Sequence, residues 1–124
     1  MTVHLDTSAL IDALTGRRRS LDRMIAFTEQ GHRLAVSTIV LYEWWRGPRT
    51  RAELVAQEEL FPRDRAFVFG PADAALAARL YGRVAHPRGR EIDLSIAAIA
   101  MTQGASLWTL NRTDFEDVPD LKLA

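Results

Sequence analysis

Four acidic residues stand at positions where a carboxylate could do chemistry. Asp6 ends the apolar run VHL and is followed by TSALID. Glu43 lies in YEWWRG, four residues before Gly47. Asp93 opens the apolar stretch DLSIAAIA, and Asn111 and Asp114 follow SLWTL in NRTDF. Singly, each has a plain structural reading. Asp6 reads as a helix cap, Asp93 as a first-turn acid favoured by the helix dipole, Glu43 as a solvated helix face and Asp114 as a turn residue. Taken together they are harder to dismiss, because Glu43 and Asp93 sit in apolar stretches where an unpaired carboxylate is costly. Carboxylates brought together repel one another unless a cation joins them. All-oxygen ligation suits Mg²⁺ or Mn²⁺, as one or two ions. Such ions serve phosphodiester cleavage by activating a water and clamping the leaving oxygen.

Other metal chemistry is poorly supplied. The chain has no cysteine, which excludes thiolate sites and disulfides. His4 reads as a core residue of the first strand, while His32 and His86 fall in loops with no partner at ligand spacing. A zinc site is not expected.

To gather these acids, the chain must fold so that distant segments meet. TVHL (2–5) reads as a strand, and 8–15 and 20–30 as helices, with Ser20 as a candidate cap. RLAVS (33–37) is a second strand, and Ser37 is placed to cap the helix TIVLYEWWR. Gly47-Pro48 should stop that helix, with glycine past its end and proline beyond. A polar helix is expected over 50–60, a third strand over 65–70, and a helix over 72–85 behind Pro71. Residues 91–103 form a helix with small apolar faces on several sides. SLWTL (106–110) is a fourth strand and LKLA (121–124) a candidate fifth. Strands separated by helices imply an α/β fold with a parallel sheet, whose ligands gather at the carboxyl ends of the strands. Asp6 and Asn111 fall there.

At 124 residues, a single domain over 1–124 is expected. The 48% hydrophobic and 26% charged residues exclude intrinsic disorder. No stretch approaches the roughly 18 apolar residues of a membrane helix. MTVHLD has no basic leader, so a cytoplasmic protein is expected. The formal charge is zero, yet 15 of the 16 basic residues are arginine, the residue suited to bidentate phosphate pairing. With four of the 16 acids in one site, 16 basic residues face 12 others, and the remaining surface carries +4. That is enough for weak attraction to a phosphate backbone.

LDTSALID, YEWWRG, REIDLSIAAIA and TLNRTDF, in this order, resemble the PIN-domain family over essentially the whole chain. More narrowly they resemble its VapC-type toxins of bacterial toxin–antitoxin pairs. The resemblance implies a three-layer α/β/α sandwich with a mainly parallel sheet of four to five strands. It also implies a Mg²⁺- or Mn²⁺-dependent endoribonuclease that cleaves structured RNA such as tRNA or rRNA. The acids map to Asp6, Glu43, Asp93 and Asp114, with Asp6, Asp93 and Asp114 as metal ligands and Asn111 bracing the last loop. A hydroxyl from Thr7 or Ser8 would orient the first acid or a metal-bound water. A homodimer and a small antitoxin lying in a groove beside the site are implied as well, with Trp45, Leu54 and Phe61 as candidate groove residues. Trp44 and Trp45 depart from the family pattern, which has smaller residues after the glutamate. Arg17, Arg18 and Arg19, with Arg88 and Arg90 just before Asp93, are candidate RNA contacts, against the reading that they are merely solvated.

Rival readings have less support. A receiver domain would want a lysine after a late strand, but the only lysine is Lys122. A haloacid-dehalogenase-like phosphatase would want a second aspartate where Ser8 stands. No GxGxxG or P-loop is present. A PIN nuclease in RNA processing and a non-catalytic interaction module remain alternatives. Retention of all four acids favours the enzyme, and the short length favours the toxin.

Overall fold

The apolar run TVHL becomes β1 (Thr2–Leu5), the central strand of the sheet in a computed structural model that describes residues 1–124. After it come α1 (Thr7–Leu14), α2 (Leu21–Glu29) and β2 (Arg33–Ala35), then α3 (Thr38–Arg46) and α4 (Arg51–Leu60). A short 3-10 turn over Arg63–Arg65 leads to α5 (Pro71–Arg83), α6 (Glu91–Thr102), β3 (Ser106–Trp108) and a second 3-10 turn over Arg112–Asp114. The sheet order is β2-β1-β3, parallel throughout, with Val3 opposite Leu34 on one side and Ser106 on the other. Helices flank this sheet, as the alternation of strands and helices predicts. Because β1 is central, the chain leaves it toward opposite edges to form β2 and β3. The resulting crevice beyond the strand ends is where such sheets bind ligands.

Local signals account for several boundaries. The Ser37 hydroxyl accepts from Val40 N–H at 3.2 Å and caps α3 as expected. At the start of α4, Thr50 and Glu53 form a reciprocal capping box, at 3.1 and 2.8 Å. Helix α6 buries Leu94, Ile96, Ala97, Ala98, Ile99 and Ala100, because α5, α3 and β3 all pack against it. One core joins Leu5, Leu10, Leu41, Trp44, Leu107, Trp108 and Phe115.

The sheet is narrower than expected. Residues 65–70 do not form a strand: only Phe67 bridges, with its N–H donating to Val36 O and its carbonyl accepting from Thr38 N–H. Of the five residues between the 3-10 turn and Pro71, the others make no ladder bond to β2. The candidate fifth strand likewise reduces to one parallel bridge between Leu107 and Leu123. No helix is long and apolar enough to cross a membrane.

Candidate active site

Asp6 follows the last residue of β1 and is 4% exposed. It does not act as a side-chain cap: only its carbonyl serves α1, accepting from Ala9 and Leu10 N–H. Its carboxylate Oδ2 instead accepts from Ser8 Oγ at 2.9 Å and from Thr109 Oγ1 at 2.7 Å. Those hydroxyls in turn accept backbone N–H groups, Leu110 to Ser8 and Asn111 to Thr109, each at 3.0 Å. The carboxylate is thereby fixed at the crevice between β1 and β3. Thr109 is buried and was missed by the sequence reading; its place as the last residue before LNRTDF was the available signal.

Two other elements bring acids to the same cleft. A cleft of about 440 Å³ is lined by Asp6, Thr7, Ser8, Glu43, Asp93 and Asn111, with Arg46 and Arg49 on its wall. Glu43, on α3, accepts from Thr7 Oγ1 at 2.5 Å and has Arg46 at 3.4 Å. So the two hydroxyls after Asp6 divide their work, Ser8 holding Asp6 and Thr7 holding Glu43. Asp93, in the first turn of α6, has its pKa pushed up to about 6. Burial is the largest cause, followed by the charges of Asp6, Asp114 and Glu43, with Arg90 opposing. Asp93 therefore feels the charges of the other three acids. Asp114 belongs to the cluster electrostatically but does not line the cleft; its turn lies at the rim and is exposed.

The donor set fits a hard divalent cation. No three acidic or histidine side chains are drawn together into a ready cage. That is compatible with Mg²⁺, which keeps several waters and takes only one or two carboxylates. The raised proton affinity of Asp93 comes first from burial and then from the neighbouring like charges, and a cation beside it would oppose both.

The PIN domain family matches residues 3–121 of the chain. The chain belongs to the PIN-domain family. No curated protein sequence matches this PIN domain. Solved structures do, at low identity. VapBC2 from Rickettsia felis, bound to a DNA fragment from its promoter, has a TM-score of 0.76 at 20% identity, over 100% of this chain and 98% of that one. A toxin–antitoxin complex from Klebsiella pneumoniae has 0.75 at 24%, over 96% and 94%. DNA-bound VapBC from Salmonella typhimurium has 0.74 at 20%, over 100% and 97%. They share the PIN fold along nearly the full length of both chains.

The candidate RNA and partner residues of this PIN domain fare unevenly. Arg90 is not free to meet RNA. Its guanidinium forks onto Asp117 at 2.5 and 2.9 Å and donates to the carbonyls of Asp114 and Ala85 at 3.0 and 3.1 Å. It is a clamp that ties the start of α6 to the Asp114 turn. Arg17 and Arg19 line a second cleft, about 590 Å³, that shares Ser8, Ile11 and Asn111 with the acid cleft. Arg19 is also paired with Asp12 at 3.0 Å. Arg18 and Arg88 are exposed outside both clefts. Of the groove candidates, Phe61 is 6% exposed and belongs to the core. It lines an apolar cleft of about 470 Å³ with Leu34, Val36 and Phe67, which Trp45 and Leu54 do not reach. Trp45 and Leu54 are 41% and 37% exposed. Trp45 donates Nε1–H to Gln57 at 3.1 Å and is covered by Arg63. Trp44 is fully buried, which answers for one of the two unusual tryptophans.

Proposed function

We propose that this PIN domain is a divalent-metal-dependent endoribonuclease, the toxin of a VapBC-type pair, which cleaves structured RNA such as tRNA or rRNA. The observation that carries the reading is the convergence of Asp6, Glu43 and Asp93, from three separate elements, on one open cleft. Asp6, Asp93 and Asp114 are the proposed ligands of Mg²⁺ or Mn²⁺, one ion or two. A bound cation supplies charge neutralisation at the phosphodiester and a water of lowered pKa. The chain's own groups do the positioning. Ser8 and Thr109 hold Asp6 in one rotamer, Thr7 holds Glu43 facing the cleft, and Asn111 borders the entry. Hydrolysis adds water at phosphorus and releases a ribose hydroxyl. Glu43 is the group placed to orient that water.

Likeness to solved toxin–antitoxin complexes supports a small antitoxin as partner, and the family resemblance supports a homodimer and a cytoplasmic setting. Trp45 and Leu54 are the exposed apolar residues offered to that partner.

Purified protein incubated with bulk tRNA and with rRNA should cut in Mg²⁺ or Mn²⁺ and stop when a chelator is added. Asp6→Asn and Asp93→Asn should each remove most cleavage while circular dichroism and melting report an intact fold. Cutting by either variant at the wild-type rate overturns its assignment. Growth arrest on expression, relieved by the neighbouring small open reading frame, with mapping of RNA 5′ ends, tests the toxin role.

A further inference from the structure

The sequence offers Gly47 as an ordinary helix stop, and the structure gives it a different task. Its backbone is extended, φ −81° and ψ 168°, a conformation any residue adopts and one that Pro48 imposes on its predecessor. Conformation does not require glycine here. Space does. A Cβ at position 47 would lie 2.9 Å from Arg49 NH2 and 3.2 Å from its Cζ. The bare Cα leaves room for the Arg49 guanidinium in the wall of the acid cleft.

Two further contacts seat that guanidinium. It lies 4.3 Å from the centroid of the buried Trp44 ring, and its NH1 donates to Pro48 O at 2.7 Å. Trp44, an unexpectedly large residue at its position, is therefore the platform on which the arginine rests. Yet Arg49 makes no ion pair. The four ion pairs of the protein use Arg19, Arg46, Arg63 and Arg90 instead. Its Nε is buried and has no hydrogen-bond partner. Its neighbour Arg46, by contrast, is committed to Glu43 and stacks on Tyr42. A seated guanidinium with no ion pair, lining the same cleft as the carboxylates, is arranged to receive an anion between itself and the acids. A planar guanidinium matches a phosphate bidentately.

We infer that Arg49 holds a non-bridging oxygen of the substrate phosphodiester, and that Gly47 and Trp44 are its positioning residues. The inference rests on the reading of the cleft as a phosphodiester site and assigns the group opposite the acids.

Cleavage of bulk tRNA in Mg²⁺ and equilibrium binding of the same tRNA in chelator, as a function of salt, test it. Arg49→Ala should lower kcat/KM roughly tenfold or more. In chelator it should weaken binding and reduce the salt slope by about one. Arg49→Met keeps an apolar stem on Trp44 without charge and should remain as impaired; Arg49→Lys should recover part of the loss. Gly47→Ala, whose added methyl meets only the far end of a flexible side chain, should fold normally and impair cleavage in the same direction. Introduced into Arg49→Ala, it should cost nothing more. Full activity in Arg49→Met, an unchanged salt slope in Arg49→Ala, or an equal effect of Gly47→Ala in both backgrounds overturns the inference. If the wild type neither binds nor cuts tRNA or rRNA, it is the ribonuclease reading that fails.

Discussion

Thr109 donates its hydroxyl to the Asp6 carboxylate at 2.7 Å, joining residues 103 positions apart. The same oxygen accepts the Asn111 N–H, so one buried hydroxyl fixes both the first acid and the start of the last loop. Thr109→Val keeps the shape and removes both bonds. It should cost about 1–2 kcal/mol of stability, a melting shift of about 3–6 °C. Cleavage should fall by roughly 10- to 100-fold, as expected for a group that orients a metal ligand. Thr109→Ser should recover most of both. Unaltered kinetics in Thr109→Val would remove it from the site.

Asp93 makes the stability of the metal-free protein depend on pH. Its folded pKa is about 6, against 3.8 for the free side chain. The folded state thus binds this proton more tightly than the unfolded state. The stabilisation is fully present below about pH 3.8 and is lost as pH rises through about 6. In chelator, Asp93→Asn should therefore melt above wild type at pH 7.5. The difference should be on the order of 1 kcal/mol, since the partly exposed position lets solvent screen the charges. It should shrink toward pH 4.5. Mg²⁺ at about ten times its dissociation constant should raise wild-type stability by roughly 1.4 kcal/mol at pH 7.5 and the variant's clearly less. Equal pH profiles for the two proteins would show that neither burial nor the neighbouring acids raise the proton affinity of Asp93.

Arg90 and Arg17 differ in kind although both began as candidate RNA contacts. Arg90→Gln breaks the fork to Asp117 and the bond to the Asp114 carbonyl, releasing the turn that carries the fourth acid. Cleavage should fall through kcat with the salt dependence of RNA binding unchanged. Arg17→Gln, on the exposed wall of the second cleft, should raise KM and reduce the salt slope by about one. Kinetics and salt titrations of the two variants against bulk tRNA separate the roles. Matching behaviour would return Arg90 to the RNA surface.

The sequence by itself determined what local chemistry determines. The alternation of strand and helix signals, the Ser37 cap, the apolar α6 and the four acids at their order and spacing could all be read directly. These depend on neighbours along the chain or on a motif carried in one segment. Only the tertiary structure decided what each side chain does once distant segments meet. It turned Asp6 from a candidate cap into an acid held by Thr109, and Arg90 from a surface cation into a clamp on Asp117. It reduced the expected strands at 65–70 and 121–124 to single bridges, because a ladder needs a partner strand in register, which local sequence does not specify. Gly47 reads as a helix stop in any sequence. That its missing methyl makes room for Arg49 depends on where a flexible side chain two residues on comes to rest, and the packing of Trp44 beneath it sets that place.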